Sequence, residues 1–157
     1  MATIHRYDAT CSWTGSTGVG YDHYDRTHRG ATPPARAELT LASDPAFRGD
    51  PALINPEQLL VLAAVSCQLL AFLAVAARAR IDVVAYEDHG EGFMPEDDPP
   101  ERITRIELRP RITVAGDVSE SRIRRLVDLA HRECYIANSL RTEVTVNPTI
   151  VAATQPA

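Results

Sequence analysis

The sequence predicts an α+β fold in which strands precede and follow two helices. Three features support this class: strand-like segments fill residues 4–42, a long apolar stretch follows them, and an amphipathic helical pattern lies between later strands. The expected order is three strands, a long buried central helix, two strands, a helix and a final strand. With 157 residues the chain has the length of one ordinary domain, which we assign to residues 1–150.

Three strands are predicted before the central helix, at residues 4–12, 21–29 and 36–42. In the third strand apolar residues alternate with polar ones, as expected for a strand with one buried face. The second segment has polar or aromatic residues on both faces. Such a pattern is typical of an exposed edge, or of a strand that borders a site or a partner.

The central helix is predicted to begin at Pro56, with Asn55 as its N-cap, and to end near Arg78 or Arg80. Its apolar stretch, residues 59–77, is long enough to span a bilayer. Polar residues at the centre of this stretch, and the lack of a second one, favour a helix buried in a soluble domain over a membrane span.

After the central helix, the pattern predicts strands at residues 82–87, 103–115 and 142–150. It predicts a loop or a mobile hairpin tip at 88–100 and a flexible tail at 151–157. Pro110 falls on the apolar side of the second of these strands, which indicates an edge or a bulge there.

A second helix is expected to follow Ser119, which can act as its N-cap. Ile123, Val127, Ala130 and Cys134 lie at spacings of three and four residues, which form an apolar stripe on one helical face. Cys134 is therefore predicted to face inward.

Charge and cysteine content exclude several classes of protein. The net charge is −5 and the basic residues are scattered, which argues against a nucleic-acid partner. The first ten residues hold no apolar run of signal-peptide length, so we expect a cytoplasmic protein. The three cysteines are an odd number without metal-ligand spacing, so neither a structural disulfide framework nor a metal site is predicted.

Two motifs in this chain resemble those of one protein family. Residues 55–60 read Asn-Pro-Glu-Gln-Leu-Leu and precede Ala-Ala-Val-Ser-Cys at 63–67, and residues 130–140 read Ala-His-Arg-Glu-Cys-Tyr-Ile-Ala-Asn-Ser-Leu. Residues 55–60 and 63–67 are similar to the N-P-E-Q/E-L motif and the following cysteine of the OsmC/Ohr family. Residues 130–140 are similar to the H-x-x-C-x-x-x-N-S block of the same family. The order of elements extends the resemblance over nearly the whole chain.

The resemblance implies an OsmC-like fold assembled as an intertwined homodimer, with active sites at the interface and no metal, bound cofactor or membrane partner. It also implies a thiol peroxidase that reduces organic hydroperoxides and is itself reduced by a thiol, such as a lipoylated protein. In that role Cys67 attacks the peroxide and becomes a sulfenic acid, which Cys134 resolves by forming a disulfide.

A buried thiol needs a nearby cation to react as a thiolate, and the central helix has none within a turn of Cys67. The family uses an arginine from the N-terminal sheet, which makes Arg26 the candidate and Arg29 the alternative, with Glu57 to orient it. Ten residues along one helix separate Glu57 from Cys67 by about 15 Å and roughly 80°, so either the helix breaks or Glu57 serves the partner chain's site. His131 is expected either to favour the Cys134 thiolate or to cap the helix end.

Two residues depart from the family pattern or lie outside it. Gln68 stands where an aromatic residue commonly follows the first cysteine, and Cys11 belongs to neither motif and is interpreted as structural. An apolar wall around Cys67 favours an organic peroxide over hydrogen peroxide. Two other functions stay open: a dimeric protein that binds a small apolar ligand without peroxidase activity, and another thiol-based transfer of an acyl group or a persulfide.

Overall fold

The computed structural model of the protein describes residues 2–153. Contacts divide the chain into two compact units, one within Met1–Leu59 and one within Leu60–Ala157, so the boundary falls inside the central helix. The assignment of residues 1–150 to a single domain stays a prediction.

The first unit contains a three-stranded antiparallel sheet. Its strands are β1 (Thr10–Ser12), β2 (His28–Ala31) and β3 (Glu38–Leu41), paired in the order β1-β2-β3. Two short 3-10 turns, Thr17–Val19 and Pro45–Phe47, lie outside the sheet. These strands are shorter than predicted.

The prediction of a strand at residues 21–29 is wrong for all but its last two residues. Side chains rather than a neighbouring strand satisfy the backbone there: Asp25 accepts from the Thr27 amide at 2.8 Å, and Arg26 donates to the carbonyls of Tyr24 and Tyr21 at 2.7 and 2.6 Å. Such local bonds offer the backbone an alternative to strand pairing. The polar character of this segment therefore indicates a structured loop.

The central helix, α1 (Pro56–Arg78), begins as predicted. Asn55 and Gln58 cap it reciprocally, because the Gln58 amide donates to Asn55 Oδ1 at 2.8 Å and the Asn55 amide donates to Gln58 Oε1 at 3.1 Å. Asn55 Nδ2 also donates to Asp44 Oδ2 at 3.1 Å. At the other end Arg80 adopts a left-handed conformation, with φ of 57°, that stops the helix.

Within residues 2–153, helix α1 is buried on one face only. One face is buried through Ala64, Gln68, Phe72, Val75 and Ala76. The opposite face exposes large side chains: Leu62 is 56% exposed and Leu70 is 64% exposed. By length and composition alone this helix could cross a membrane, a test that core helices of soluble proteins also pass. Neighbouring exposed apolar side chains of this kind are typical of surfaces that contact another molecule.

The second unit contains two three-stranded sheets. One has the order β4-β7-β9 and the other the order β5-β6-β8. In each, the central strand pairs antiparallel on one side and parallel on the other. The strands are β4 (Val83–Glu87), β5 (Gly90–Phe93), β6 (Arg105–Leu108), β7 (Arg111–Val114), β8 (Glu143–Val146) and β9 (Thr149–Ala152).

Each segment predicted as one long strand in this unit is two strands. The strand at 103–115 breaks at Arg109-Pro110, and the strand at 142–150 breaks at Asn147-Pro148. Proline cannot donate to a strand ladder, so the chain bends there. Strand β9 includes Val151 and Ala152, which were predicted to belong to the tail. Residues 154–157 of that tail lie outside the described part of the chain.

Strand β5 lies in the segment predicted as a loop or a hairpin tip at 88–100, and it pairs antiparallel with β6. Its glycines are there for close packing, not for a turn. A Cβ on Gly90 would meet Val65 Cγ2 at 2.5 Å, and one on Gly92 would meet Val61 Cγ2 at 2.6 Å. The glycines let β5 approach the turn of α1 that precedes Cys67.

Two helices lie between β7 and β8 in the chain: α2 (Glu120–Glu133) and α3 (Tyr135–Ser139). The predicted stripe is confirmed, since Ile123, Val127 and Ala130 are buried in one cluster with Phe72 and Ile112. Full burial of each large apolar side chain contributes about 1.5–3 kcal/mol. Ser119 occupies the N-cap position as predicted, but its side chain makes no capping hydrogen bond.

The cap of α1 can be tested by substitution. Asn55→Ala should lower the free energy of unfolding by about 1–2 kcal/mol, because the Gln58 amide loses its acceptor. Asn55→Ser keeps an acceptor for the Gln58 amide but loses the hydrogen bond to Asp44, so it should lower the free energy of unfolding by less than Asn55→Ala does. Urea denaturation of both variants measures the difference, and equal losses would show that the cap contributes nothing.

Candidate active site

Two thiols lie side by side in the second unit. Cys67 is half-buried on α1, and Cys134, which is 2% exposed, joins α2 to α3. Consecutive amides of α3 hold the two sulfurs: Ile136 N donates to Cys67 Sγ at 3.4 Å, and Ala137 N donates to Cys134 Sγ at 3.4 Å. Residues 67 and 134, remote in sequence, are thus brought together as the resemblance implied.

The surroundings of Cys134 keep it protonated at neutral pH. Burial raises the pKa of Cys134 to about 11, and hydrogen bonding and charge repulsion from Cys67 act in the same direction. The amides of Ala137 and Ile136 oppose this shift but do not cancel it. Since the thiolate is the nucleophile, Cys134 must lose a proton when it reacts.

The turn between α2 and α3 fixes the position of Cys134. Its extended backbone, with ψ of 110°, ends α2. Asn138 Nδ2 spans the turn, donating to the carbonyls of Arg132 at 2.9 Å and of Cys134 at 3.0 Å. Asn138 belongs to the second motif of the sequence, and in the structure its side chain holds the turn that carries Cys134.

His131 lies in the last turn of α2, and its carbonyl accepts from the Cys134 amide at 3.2 Å. Within residues 2–153, its ring makes no hydrogen bond to the helix end, and the buried ring atom Nδ1 has no partner. Gln68 Oε1 is likewise buried without a partner, while Gln68 Nε2 donates to the Val127 carbonyl at 3.4 Å.

Arg26 and Glu57 share a cleft in the first unit, with a volume of about 500 Å³. The Arg26 guanidinium lies 3.9 Å from the centre of the Tyr24 ring. Aromatic side chains, Trp13 and Phe47 among them, form much of the remaining wall. A guanidinium beside aromatic rings suits an amphipathic ligand that carries an oxygen acceptor.

Arg29, the alternative to Arg26, lies elsewhere. It is on strand β2, mostly exposed, and pairs with Glu38 at 3.3 Å. Cys11 is exposed and lines the Arg26 cleft, so its interpretation as a structural residue is wrong. No motif in the sequence could have indicated this position of Cys11.

Helix α1 is continuous from Pro56 to Arg78. A continuous helix keeps Glu57 about 15 Å along the axis from Cys67, so the two cannot meet within one copy through that helix. The sequence left two alternatives for Glu57, a break in the helix before Cys67 or a role in the partner chain's site, and the break is therefore wrong.

Sequence reasoning missed a polar pair near the thiols. Tyr86 Oη donates to Asp88 Oδ2 at 3.3 Å, and the Arg109 amide donates to Asp88 Oδ1 at 2.8 Å. Burial raises the pKa of Asp88, and burial together with the Asp88 and Cys134 charges raises the pKa of Tyr86. Nothing in the pattern of a short strand ending at residue 87 distinguishes this tyrosine from a core residue.

Within residues 2–153, no group of three or more His, Cys, Asp or Glu side chains could hold a metal ion. The chemistry that the second unit can support is formation and reduction of a disulfide between neighbouring thiols. The cleft of the first unit supplies a cation and an apolar wall.

Comparison with solved structures identifies similar folds. An OsmC-like protein of unknown function from Vibrio cholerae is 26% identical, with a TM-score of 0.83 over 93% of this chain and 100% of that chain. An organic hydroperoxide resistance protein from Elizabethkingia anophelis is 18% identical, with a TM-score of 0.69 over 98% of this chain and 100% of that one. One from Legionella pneumophila is 19% identical, with a TM-score of 0.65 over 96% and 99%. A search of curated proteins found no match.

The family model described as OsmC-like protein matches residues 49–149. This range contains Glu57, Cys67, His131 and Cys134, and it covers most of the chain. The α+β architecture with a long central helix agrees with the solved relatives. The chain belongs to the family of OsmC-like proteins.

Proposed function

We propose that this protein is a thiol peroxidase that reduces organic hydroperoxides in the cytoplasm as a homodimer. The observation that carries the proposal is the thiol pair: the Cys67 and Cys134 sulfurs are held by adjacent amides of one short helix. A buried, protonated second thiol beside a half-buried first one suits a resolving and a reacting cysteine. The names of two structural relatives, organic hydroperoxide resistance proteins, support the choice of substrate.

In the proposed reaction, the Cys67 thiolate attacks one peroxide oxygen and the O–O bond breaks. The departing alkoxide takes a proton and leaves as an alcohol, while Cys67 becomes a sulfenic acid. Cys134 then attacks the Cys67 sulfur, a disulfide forms, and the hydroxyl leaves as water. A dithiol such as a lipoylated protein supplies two electrons and two protons to restore both thiols.

A second copy of the chain is the proposed cover for the open face of α1. Leu62, Leu70 and Leu73 expose apolar surface along one side of the helix. In the dimer, Arg26 is the proposed cation for the Cys67 thiolate and the peroxide oxygen, with Glu57 to orient it. The aromatic wall of the Arg26 cleft favours an organic tail over hydrogen peroxide.

The cysteine roles predict different defects. Cys67→Ser should abolish reduction of cumene hydroperoxide, because the nucleophile is lost. Cys134→Ser should allow at most one turnover per subunit, because the sulfenic acid has no resolving thiol. Peroxide consumption with a dithiol reductant, followed by mass spectrometry, measures both. Normal turnover in Cys67→Ser would overturn the role of Cys67. No peroxide turnover in the parent protein would favour the apolar-ligand-binding alternative, and turnover of an acyl or persulfide donor alone would favour a different thiol chemistry.

Matched arginine variants test the proposed cation. Arg26→Lys keeps the charge but loses the planar fork, so the rate of sulfenic acid formation should fall about 10–100-fold, the equivalent of one charge-assisted hydrogen bond. Arg29→Lys, on an exposed ion pair, should leave that rate within about twofold. Equal rates in the two variants would remove Arg26 from the reaction.

The acidity of Cys134 can be measured directly. Because its folded pKa of about 11 lies above that of an ordinary thiol, the Cys134 thiolate should form only as the pH approaches 11. The ultraviolet absorbance of thiolates, compared between the reduced protein and its Cys134→Ser variant, isolates this titration. A Cys134 midpoint below about pH 8.5, the value of a free thiol, would contradict the described burial.

A further inference from the structure

The Arg26 side chain is held by its own loop. Its two terminal nitrogens, Nη1 and Nη2, donate to the carbonyls of Tyr24 and Tyr21 at 2.7 and 2.6 Å. Both contacts lie within residues 21–26, so they orient the guanidinium without any contribution from Glu57 or from a partner chain. An arginine has five N–H groups, and these two bonds leave others for an acceptor in the cleft that Arg26 lines.

The Tyr24 ring fixes what these two hydrogen bonds leave free. A planar guanidinium that is held at two nitrogens can still tilt about the line that joins them. The Tyr24 ring lies over the Arg26 guanidinium, with 3.9 Å between the ring centre and Cζ, and so opposes this tilt. The Tyr21 ring is farther away, at 4.8 Å, and is 62% exposed. Tyr24 is therefore the side chain that sets the plane of the guanidinium.

The Tyr24 ring is itself supported by Trp13. The two rings meet edge to face, with 6.2 Å between their centres and an angle of 87° between their planes. This is a favoured arrangement for aromatic pairs. Trp13 Nε1 donates to the Asp25 carbonyl at 2.7 Å, which anchors the indole to the residue after Tyr24. The three side chains Trp13, Tyr24 and Arg26 line one cleft and form a continuous stack of contacts.

The direction of the guanidinium plane matters for the chemistry proposed for Arg26. Its value over a simple positive charge is a planar set of donors that can bond a thiolate and a peroxide oxygen together. Hydrogen bonds weaken steeply when donor and acceptor are misaligned, whereas the attraction of a point charge does not depend on angle. A residue that fixes the plane therefore affects the reaction without touching the reacting atoms.

We propose that Tyr24 is a positioning residue for peroxide cleavage, because its ring sets the plane of the Arg26 guanidinium that faces the Cys67 thiolate and the peroxide oxygen. This inference rests on the proposed function, in which Arg26 acts on Cys67 within the dimer. Tyr24 acts through Arg26 and is not itself a catalytic residue.

The orientation of Arg26 can be measured without peroxide turnover. Phenylglyoxal modifies arginine side chains, and peptide mass spectrometry of the reduced full-length protein gives the rate at each arginine. Arg29, whose side chain is 74% exposed, is the reference within the same molecule. We expect Arg26 to react more slowly than Arg29 in the parent protein and in Tyr24→Phe, which keeps the ring. In Tyr24→Leu, Arg26 should react at least about threefold faster than in the parent, because the ring contact is lost.

The same variants test peroxide cleavage. The reduced protein receives an excess of cumene hydroperoxide, and the loss of the free Cys67 thiol with time gives the rate of attack. Tyr24→Leu should lower this rate about 3–30-fold, the range that one cation–π contact supplies, while Tyr24→Phe should stay within about twofold of the parent. Tyr7→Leu, the same substitution at a residue that is 89% exposed, should also stay within about twofold.

A double-mutant cycle shows whether Tyr24 acts through Arg26. Arg26→Met removes the cation, so adding Tyr24→Leu to it should change the rate of attack by less than about twofold. Equal slowing by Tyr24→Leu in both backgrounds would overturn the inference, as would an unchanged reactivity of Arg26 towards phenylglyoxal. If Tyr24→Leu fails to fold, Tyr24→Gln, which also lacks the ring, takes its place.

Failure of the proposed function gives a different result. A parent protein that loses no Cys67 thiol to the peroxide would overturn the peroxidase proposal, and a parental rate in Arg26→Met would overturn the role of Arg26. In both cases the phenylglyoxal rates still decide whether the Tyr24 ring orients the guanidinium.

Discussion

The short turn between α2 and α3 is the constraint on which the candidate site depends. Cys134 ends α2 because its backbone is extended, and Asn138 holds that turn through two carbonyls. Once the turn is fixed, the amides of Ile136 and Ala137 point at two different sulfurs. Without it, Cys134 would be one more apolar residue on a helix stripe, with no reason to meet Cys67.

The rest of the second unit supports this turn. Its strands bend at comparable places, before Gly90, at Arg109-Pro110 and at Asn147-Pro148, and bonds such as Asn147 N to Leu108 O at 2.8 Å continue the pairing across the bends. The two resulting sheets contact different buried clusters, one with Phe72 and one with Ala64. Helix α1 therefore packs against one cluster before Cys67 and against the other after it, which fixes the position of the Cys67 sulfur along the helix axis.

Local chemistry was predictable from the sequence, and long-range packing was not. Asn55 was identified as the N-cap of α1 because a cap depends on residues a few positions away. The strand β5 was missed because Gly90 and Gly92 look like turn residues, whereas their purpose is close approach to α1. The proximity of Cys67 and Cys134 was anticipated only through family resemblance. The segment around Arg26 is predicted as a strand but forms a loop, because the Arg26 side chain donates to backbone carbonyls that a neighbouring strand would otherwise pair with.

The leucine-rich open side of α1 has a consequence for how this protein exists in dilute solution. If a second copy covers it, folding and association are linked by mass action, and apparent stability rises with the logarithm of protein concentration. The isolated subunit then exposes leucine side chains that can bind other apolar surfaces. Abundance in the cell, and not only sequence, would set how much of the protein is in its working form.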